Sequence, residues 1–323
     1  MGFFTAFQET AYPSARVEIS STNGGFDLPT ARGLSWAAQL AYETSDEAKF
    51  SRILSRWGWQ LAAIIAADFN SVLPISATNG FVARVGDATV IAFTGTEPEN
   101  LLQWVRNFTV SAGEGVHEGF EAGVEAVWEE QLRPHIAAAA NLYIAGHSLG
   151  AALSVIAAAR LCREMPEAAG KLRAVYALGM PRVFTAASAQ AYNDTRLTPD
   201  ASLGQRTFRL IHGADIVPHV PSAIGHLDYR HVGGALACPR GNRFNSQALQ
   251  PPDSEPAAED SPLSIKSLLG GGPGSGNSEM PPFPAAHVGV AFAINALPRA
   301  VRDHLMDGYL RALGVLENAS ETR

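Results

Sequence analysis

The chain has 323 residues, of which 46% are hydrophobic, and a formal net charge of −7; this allows one large core without cross-links. The acidic balance leaves no basic excess for phosphates, which argues against nucleic acid and against anionic membrane surfaces as partners. Cys162 and Cys238, its two cysteines, have no C-x-x-C or metal-ligand spacing and read as reduced thiols, and no His, Asp or Glu cluster has ligand spacing, so neither metal nor cofactor is expected.

Residues 1–20 lack a positively charged start followed by an apolar run and a cleavage site, so no conventional export signal is read and the expected location is the cytoplasm. The longest apolar stretches, 61–67 and 288–297, fall short of the roughly 20 residues of a membrane helix. Apolar residues at three-to-four spacing over 34–42 and 50–67, among them Leu54, Trp57, Leu61, Ile64 and Ile65, predict two helices that cover a sheet. Gly86-Asp87 between 80–85 and 88–93 has the spacing and chemistry of a tight β-hairpin. A helix is expected over about 119–139, with Pro134 kinking or dividing it.

Residues 141–146 read as a short buried strand and 149–165 as a helix apolar on nearly every face, hence packed deep against a sheet. Further strands are expected at 172–178 and 207–211, with a helix around 186–195 between them. This alternation predicts a mostly parallel sheet with helices on both faces. From 240 to 284 the composition shifts to Pro, Ser, Gly and Glu, the mark of a flexible insertion within a single domain spanning 1–323. Helical periodicity returns over 297–316.

Gly146-His147-Ser148-Leu149-Gly150 matches G-x-S-x-G, a motif whose physical demand is a very sharp turn that lifts a serine hydroxyl above the sheet edge. It follows an apolar strand directly and opens a small-residue helix, the context that gives the string its meaning. The helix start also offers unpaired backbone N–H groups, with that of Leu149 the expected donor to an oxyanion. The bland reading is a glycine-bounded turn with an idle serine.

Such a serine needs an imidazole to take its proton and a carboxylate to orient the imidazole, in the chain order serine, acid, histidine. The acids after Ser148 include Asp194, Asp200, Asp215 and Asp228. Asp215 stands out, because it follows the strand ending at residue 211 in a tight loop, although an Asx turn before Pro218 would explain it equally well. Spacing does not choose among His219, His226, His231, His287 and His304; His219 lies too near Asp215 to reach across easily, and His304 stands just before or within the last helix.

Six segments, in order over residues 80–312, resemble the class 3 lipases, the fungal triacylglycerol lipase-like family. They are 90–96 with Trp104, 116–120, 143–153, 177–182, 210–221, and Asp303-His304 with Tyr309. The resemblance implies an α/β-hydrolase fold with Ser148 as nucleophile, Asp215 as acid and His304 as base. It makes the backbone N–H of Thr96 the second oxyanion donor beside Leu149, and gives His117 and Arg182 structural roles. Two departures stand out: Phe93-Thr94-Gly95 replaces the Phe-Arg-Gly of many relatives, and the 240–284 insertion lengthens the path from Asp215 to His304.

After Thr96, residues Leu101, Trp104, Val105 and Phe108 fall on one side of a helical period, with Leu102 beside them. In the family this region resembles a lid that opens at a lipid–water interface; periodicity alone fits an ordinary core-facing helix as well. The expected activity is therefore carboxylic ester hydrolysis, first of all that of a triacylglycerol lipase acting on an ester or lipid substrate. A phospholipase A1, a monoacylglycerol lipase and an aryl-ester esterase are the alternatives on the same scaffold. A non-catalytic hydrolase-fold binding protein is the alternative from another class.

Overall fold

Five successive strands run the same way and pair with their neighbours in sequence, and that decides where the helices lie. The computed structural model describes residues 5–20, 24–70, 76–95, 116–221, 228–252 and 299–316. Its main sheet contains β1 (Gln60–Asp68), β2 (Ala77–Val85), β3 (Ala88–Phe93), β4 (Asn141–His147), β5 (Leu172–Leu178), β6 (Thr207–His212) and β7 (Gly234–Cys238), in that spatial order. β1, β2 and β3 are antiparallel, whereas β3 through β7 are parallel. Val85 faces Ala88 across the Gly86-Asp87 turn, as the hairpin spacing requires.

Right-handed crossovers between successive parallel neighbours place their helices on one face of a sheet. The helices are α1 (Leu28–Leu40), α2 (Glu47–Trp57), α3 (Val116–Val127), α4 (Arg133–Ala138), α5 (Leu149–Glu164), α6 (Pro166–Ala169), α7 (Ala186–Asp194), α8 (Arg299–Arg302) and α9 (Met306–Ala312). Phe120 and Val124 of α3, the apolar residues of α5 and Tyr192 of α7 share one core with Ile91, Ile144 and Val175. The opposite face must then be covered by segments that precede β1 and succeed β7. Leu34 and Trp36 of α1, Phe50 of α2 and Tyr309 of α9 pack there on Val90, Tyr143 and Tyr176. The parallel strands thus bury both their odd and their even residues, and a fully buried Ile144 or Val175 contributes about 1.5–3 kcal/mol. Cys162 and Cys238 are not bridged.

Two of the expected helices differ, and a third is divided as expected. The second helix was expected to run to residue 67, but it stops at Trp57, where Gly58 takes φ +75° and donates its N–H to the carbonyls of Leu54 and Ser55. The chain then enters the edge strand β1, and Leu61 and Ile64, which prolong the helical stripe in the sequence, are 40% and 39% exposed on it. The helix over 119–139 is divided by a π-helical turn at Trp128–Leu132, with Pro134 in the first turn of α4. That turn presents Gln131, whose amide accepts from Ala66 N–H at 2.9 Å and donates to the Ala66 carbonyl at 3.1 Å.

The last helix is divided as well, into α8 and α9, by Asp303-His304-Leu305. Part of the expected flexible insertion is docked: Gln250 exchanges both backbone bonds with Ala235, and buried Phe244 donates its N–H to the Ala312 carbonyl. Residues 253–284 lie outside the described residues. Among the described residues no helix is long and apolar enough to cross a membrane.

Candidate active site

β4 ends at His147 and α5 begins at Leu149, so one residue must turn the chain from strand to helix. Ser148 does so at φ 58° and ψ −125°, and it is the one non-glycine residue with positive φ among those described. Such a conformation costs of order 1–3 kcal/mol and persists only where the surroundings enforce it. The flanking glycines supply room rather than an unusual dihedral. A Cβ on Gly146 would lie 2.2 Å from the Gly150 carbonyl oxygen, and one on Gly150 would lie 2.4 Å from that of Phe93. Leu149 occupies the first position of α5, where a backbone N–H has no intrahelical acceptor.

Asp215 follows β6 in a tight loop and is fully buried. Its Oδ1 accepts Val217 N–H at 2.9 Å, the Asx turn considered from sequence, so the turn and the site are one arrangement. His304 Nδ1 lies 2.9 Å from Oδ1 and 2.8 Å from Oδ2, and Tyr309 donates its hydroxyl to Oδ2 at 2.5 Å. Burial alone would raise the Asp215 carboxyl above the usual range. The facing His304 and the hydrogen bonds from His304, Tyr309 and Val217 outweigh it and hold the group below that range. A carboxylate here fixes the hydrogen of His304 on Nδ1 and leaves Nε2 as the basic nitrogen.

That Nε2 and the Ser148 hydroxyl are both buried, and neither is hydrogen-bonded in this conformation. Catalytic hydrogen bonds of this kind are often long in the free enzyme and tighten around substrate. The two residues stand at the same end of the sheet. Ser148 N–H bonds the carbonyl of Leu178, and a Cβ on the following Gly179 would lie 2.9 Å from His304 Cε1 and 2.8 Å from Asp215 Oδ2. Gly179, at φ +58°, is therefore the floor on which acid and base meet.

The loops bearing acid and base are tied directly. Buried Asp303 accepts Ala214 N–H at 2.9 Å and pairs with Arg240 Nε at 2.8 Å, and its carbonyl accepts from His212 Nδ1 at 3.1 Å. Arg182 donates to the carbonyls of His219 and Pro221 at 2.8 and 2.9 Å, a structural role as expected. Thr94, which stands where relatives have arginine, donates to the Ala41 carbonyl at 2.8 Å.

Of the other histidines, His231 is buried and donates Nε2–H to the Pro218 carbonyl at 2.8 Å. Burial, with Arg209 and Arg182 nearby, pushes its pKa well below the usual value. His219 stays beside its own loop. His226, His287, Thr96 and the lid candidates Leu101, Leu102, Trp104, Val105 and Phe108 lie outside the described residues. Sequence reasoning missed Tyr42, His147 and the locking role of Asp303. The one available signal was His147 itself, an imidazole at the unconstrained position of G-x-S-x-G.

A mostly parallel sheet with a strained serine between its fourth strand and the next helix, and a buried aspartate–histidine pair at the same end, is the arrangement of the α/β-hydrolase fold. Residues 90–224 match the model of the family described as lipase (class 3). The chain is 30% identical over 128 residues to a Caenorhabditis elegans lipase, covering 37% of this chain and 32% of that protein. It is 32% identical over 177 residues to a Rhizopus niveus lipase, covering 50% of this chain and 42% of that one. The chain thus covers less than half the length of these relatives. Among solved structures, the triacylglyceride lipase of Rhizomucor miehei superimposes with a TM-score of 0.51 at 22% identity, over 74% of this chain and 90% of that one, a likeness of fold. Over residues 90–224 the chain is thus similar to the class 3 lipases.

Proposed function

We propose that the chain is a serine carboxylic-ester hydrolase, a lipase that cleaves acylglycerols through an acyl-enzyme on Ser148. The observation that carries the reading is the buried Asp215–His304 pair, 2.8 Å apart, with the basic nitrogen of His304 left unengaged at the end of the sheet where a serine is held at positive φ. Ser148 Oγ attacks the ester carbonyl carbon while its proton passes to His304 Nε2, and Asp215 stabilises the resulting imidazolium. The oxyanion is held by the N–H of Leu149 and, by resemblance to the family, that of Thr96. Collapse breaks the ester C–O bond, and the alcohol leaves with the proton from His304. Water then repeats the sequence and releases the acid.

Similarity to lipases favours acylglycerols over other esters. The apolar residues Leu101, Leu102, Trp104, Val105 and Phe108 would serve as a lid whose greasy face meets the lipid surface. A fluorophosphonate probe should label wild-type protein at Ser148, and Ser148→Ala should lose both label and turnover. His304→Ala should lose turnover while His287→Ala keeps it; the opposite pattern overturns the base assignment. Rates on tributyrin, long-chain triglyceride and phospholipid decide between a triacylglycerol lipase and a phospholipase A1, monoacylglycerol lipase or esterase.

A further inference from the structure

The position between glycine and serine in G-x-S-x-G is set by nothing in the motif, yet here it holds a buried histidine, 4% exposed. Both ring nitrogens of His147 are engaged. Nε2 lies 2.7 Å from the backbone carbonyl of His304, and Nδ1 lies 2.8 Å from the Tyr42 hydroxyl. A carbonyl only accepts, so Nε2 must carry the hydrogen; in the neutral ring Nδ1 is then an acceptor and the Tyr42 O–H must be its donor. The two bonds admit one tautomer. The ring also lies against that of His304, with centroids 4.5 Å apart and planes inclined by 32°.

We propose that Tyr42 and His147 are positioning residues that fix the backbone and ring plane of His304 so that its Nε2 faces Ser148. The inference rests on the reading of His304 as the base. The bond from His147 takes the His304 carbonyl, which is why the chain between α8 and α9 departs from a helix where the base stands. Asp215 holds the ring of His304 at Nδ1, His147 holds the backbone behind it, and the ring of His147 packs against its face. Tyr42 itself is set by the turn after α1, which Thr94 Oγ1 ties to the end of β3. Gly95 leaves space for it: a Cβ there would sit 2.2 Å from the Tyr42 oxygen.

The arrangement requires a neutral His147. Besides Tyr42 and His304, the groups facing it are Tyr309 of α9, whose ring centroid is 5.8 Å away, and Asp215. Burial, and then the neighbouring His304, lower its pKa to about 3, against a smaller opposing pull from Asp215. A second cation there would oppose the charge that His304 must acquire when Ser148 is deprotonated. A neutral donor lets His147 hold the base without competing with it.

Tyr42→Phe tests this, because it keeps the ring and leaves the Ser148 turn untouched. On a soluble short-chain ester, kcat should fall about tenfold with KM unchanged, the loss of one hydrogen bond. His147→Gln, which can still donate N–H to the His304 carbonyl, should keep at least about ten times the kcat of His147→Ala. Ring 15N spectra should show His147 in the Nε2–H tautomer in wild type and a mixture in Tyr42→Phe. An unchanged kcat in Tyr42→Phe, equal rates for the two His147 variants, or an Nδ1–H tautomer in wild type each overturns the proposal. Wild type without turnover or Ser148 labelling would refute the hydrolase reading instead, and the spectra would still decide the tautomer.

Discussion

Replacing Tyr309 by phenylalanine isolates one hydrogen bond of the buried acid. Tyr309 is fully enclosed and packs against His147 and His212, so phenylalanine preserves the contacts and removes only the hydroxyl that donates to Asp215 Oδ2. A hydrogen bond to a buried charged group contributes about 1.5–3 kcal/mol, and the carboxylate would retain only Val217 N–H and His304. The Asp215 carboxyl is held below its usual range in the folded protein. A group depressed in this way contributes stability that is present above its unfolded pKa, about 3.9, and lost as pH falls through the folded value. Tyr309→Phe weakens the depression. Its deficit should therefore be full at neutral pH, about 1.5–3 kcal/mol, and should shrink once the pH falls below about 4. Guanidinium unfolding of both proteins at pH 7 and at lower pH measures this directly. A deficit of equal size at both, or none at neutral pH, would refute the assignment of an ionised Asp215 held by Tyr309.

Buried geometry sets two further outcomes. Glu43 is fully buried against Lys49 at 2.8 Å and accepts from Phe7 N–H and the Tyr12 hydroxyl, each at 2.9 Å. Glu43→Ala should cost about 3–5 kcal/mol, because it strands a buried ammonium and two donors; a urea midpoint close to wild type would contradict this. Gly150→Ala sets a Cβ against the Phe93 carbonyl, where backbone lies on both sides and neither can swing aside. A loss of about 3 kcal/mol is expected, read as a lower unfolding midpoint with Ser148 labelling impaired.

The turn around Ser148 was legible because its demands are local: an apolar strand, two glycines and a small-residue helix fall within a few residues of one another. Four of the five parallel strands were legible for the same reason, whereas the short β7, Gly234–Cys238, was not read. Gln60 to Asp68 was misread because an edge strand of Ala and Ile can imitate helical spacing over so short a run, and the terminating Gly58 was the better signal. The division of the last helix at His304 could not be read locally. The group that draws off its carbonyl belongs to His147, which is distant in the chain, and the group that orients His147 belongs to Tyr42. Asp215 was a choice among four acids until the fold brought one imidazole to it, and His304 was one of five histidines for the same reason.

The crossover helices all occupy one side, so segments from before and after the sheet meet over the other, bringing Tyr42 and His304 to the same histidine, His147. During synthesis the nucleophile is in place early, but the imidazole that arms it is translated long afterwards. On the proposed reading a nascent chain holds a hydroxyl without its base, so ester hydrolysis would wait until both flanking segments had docked.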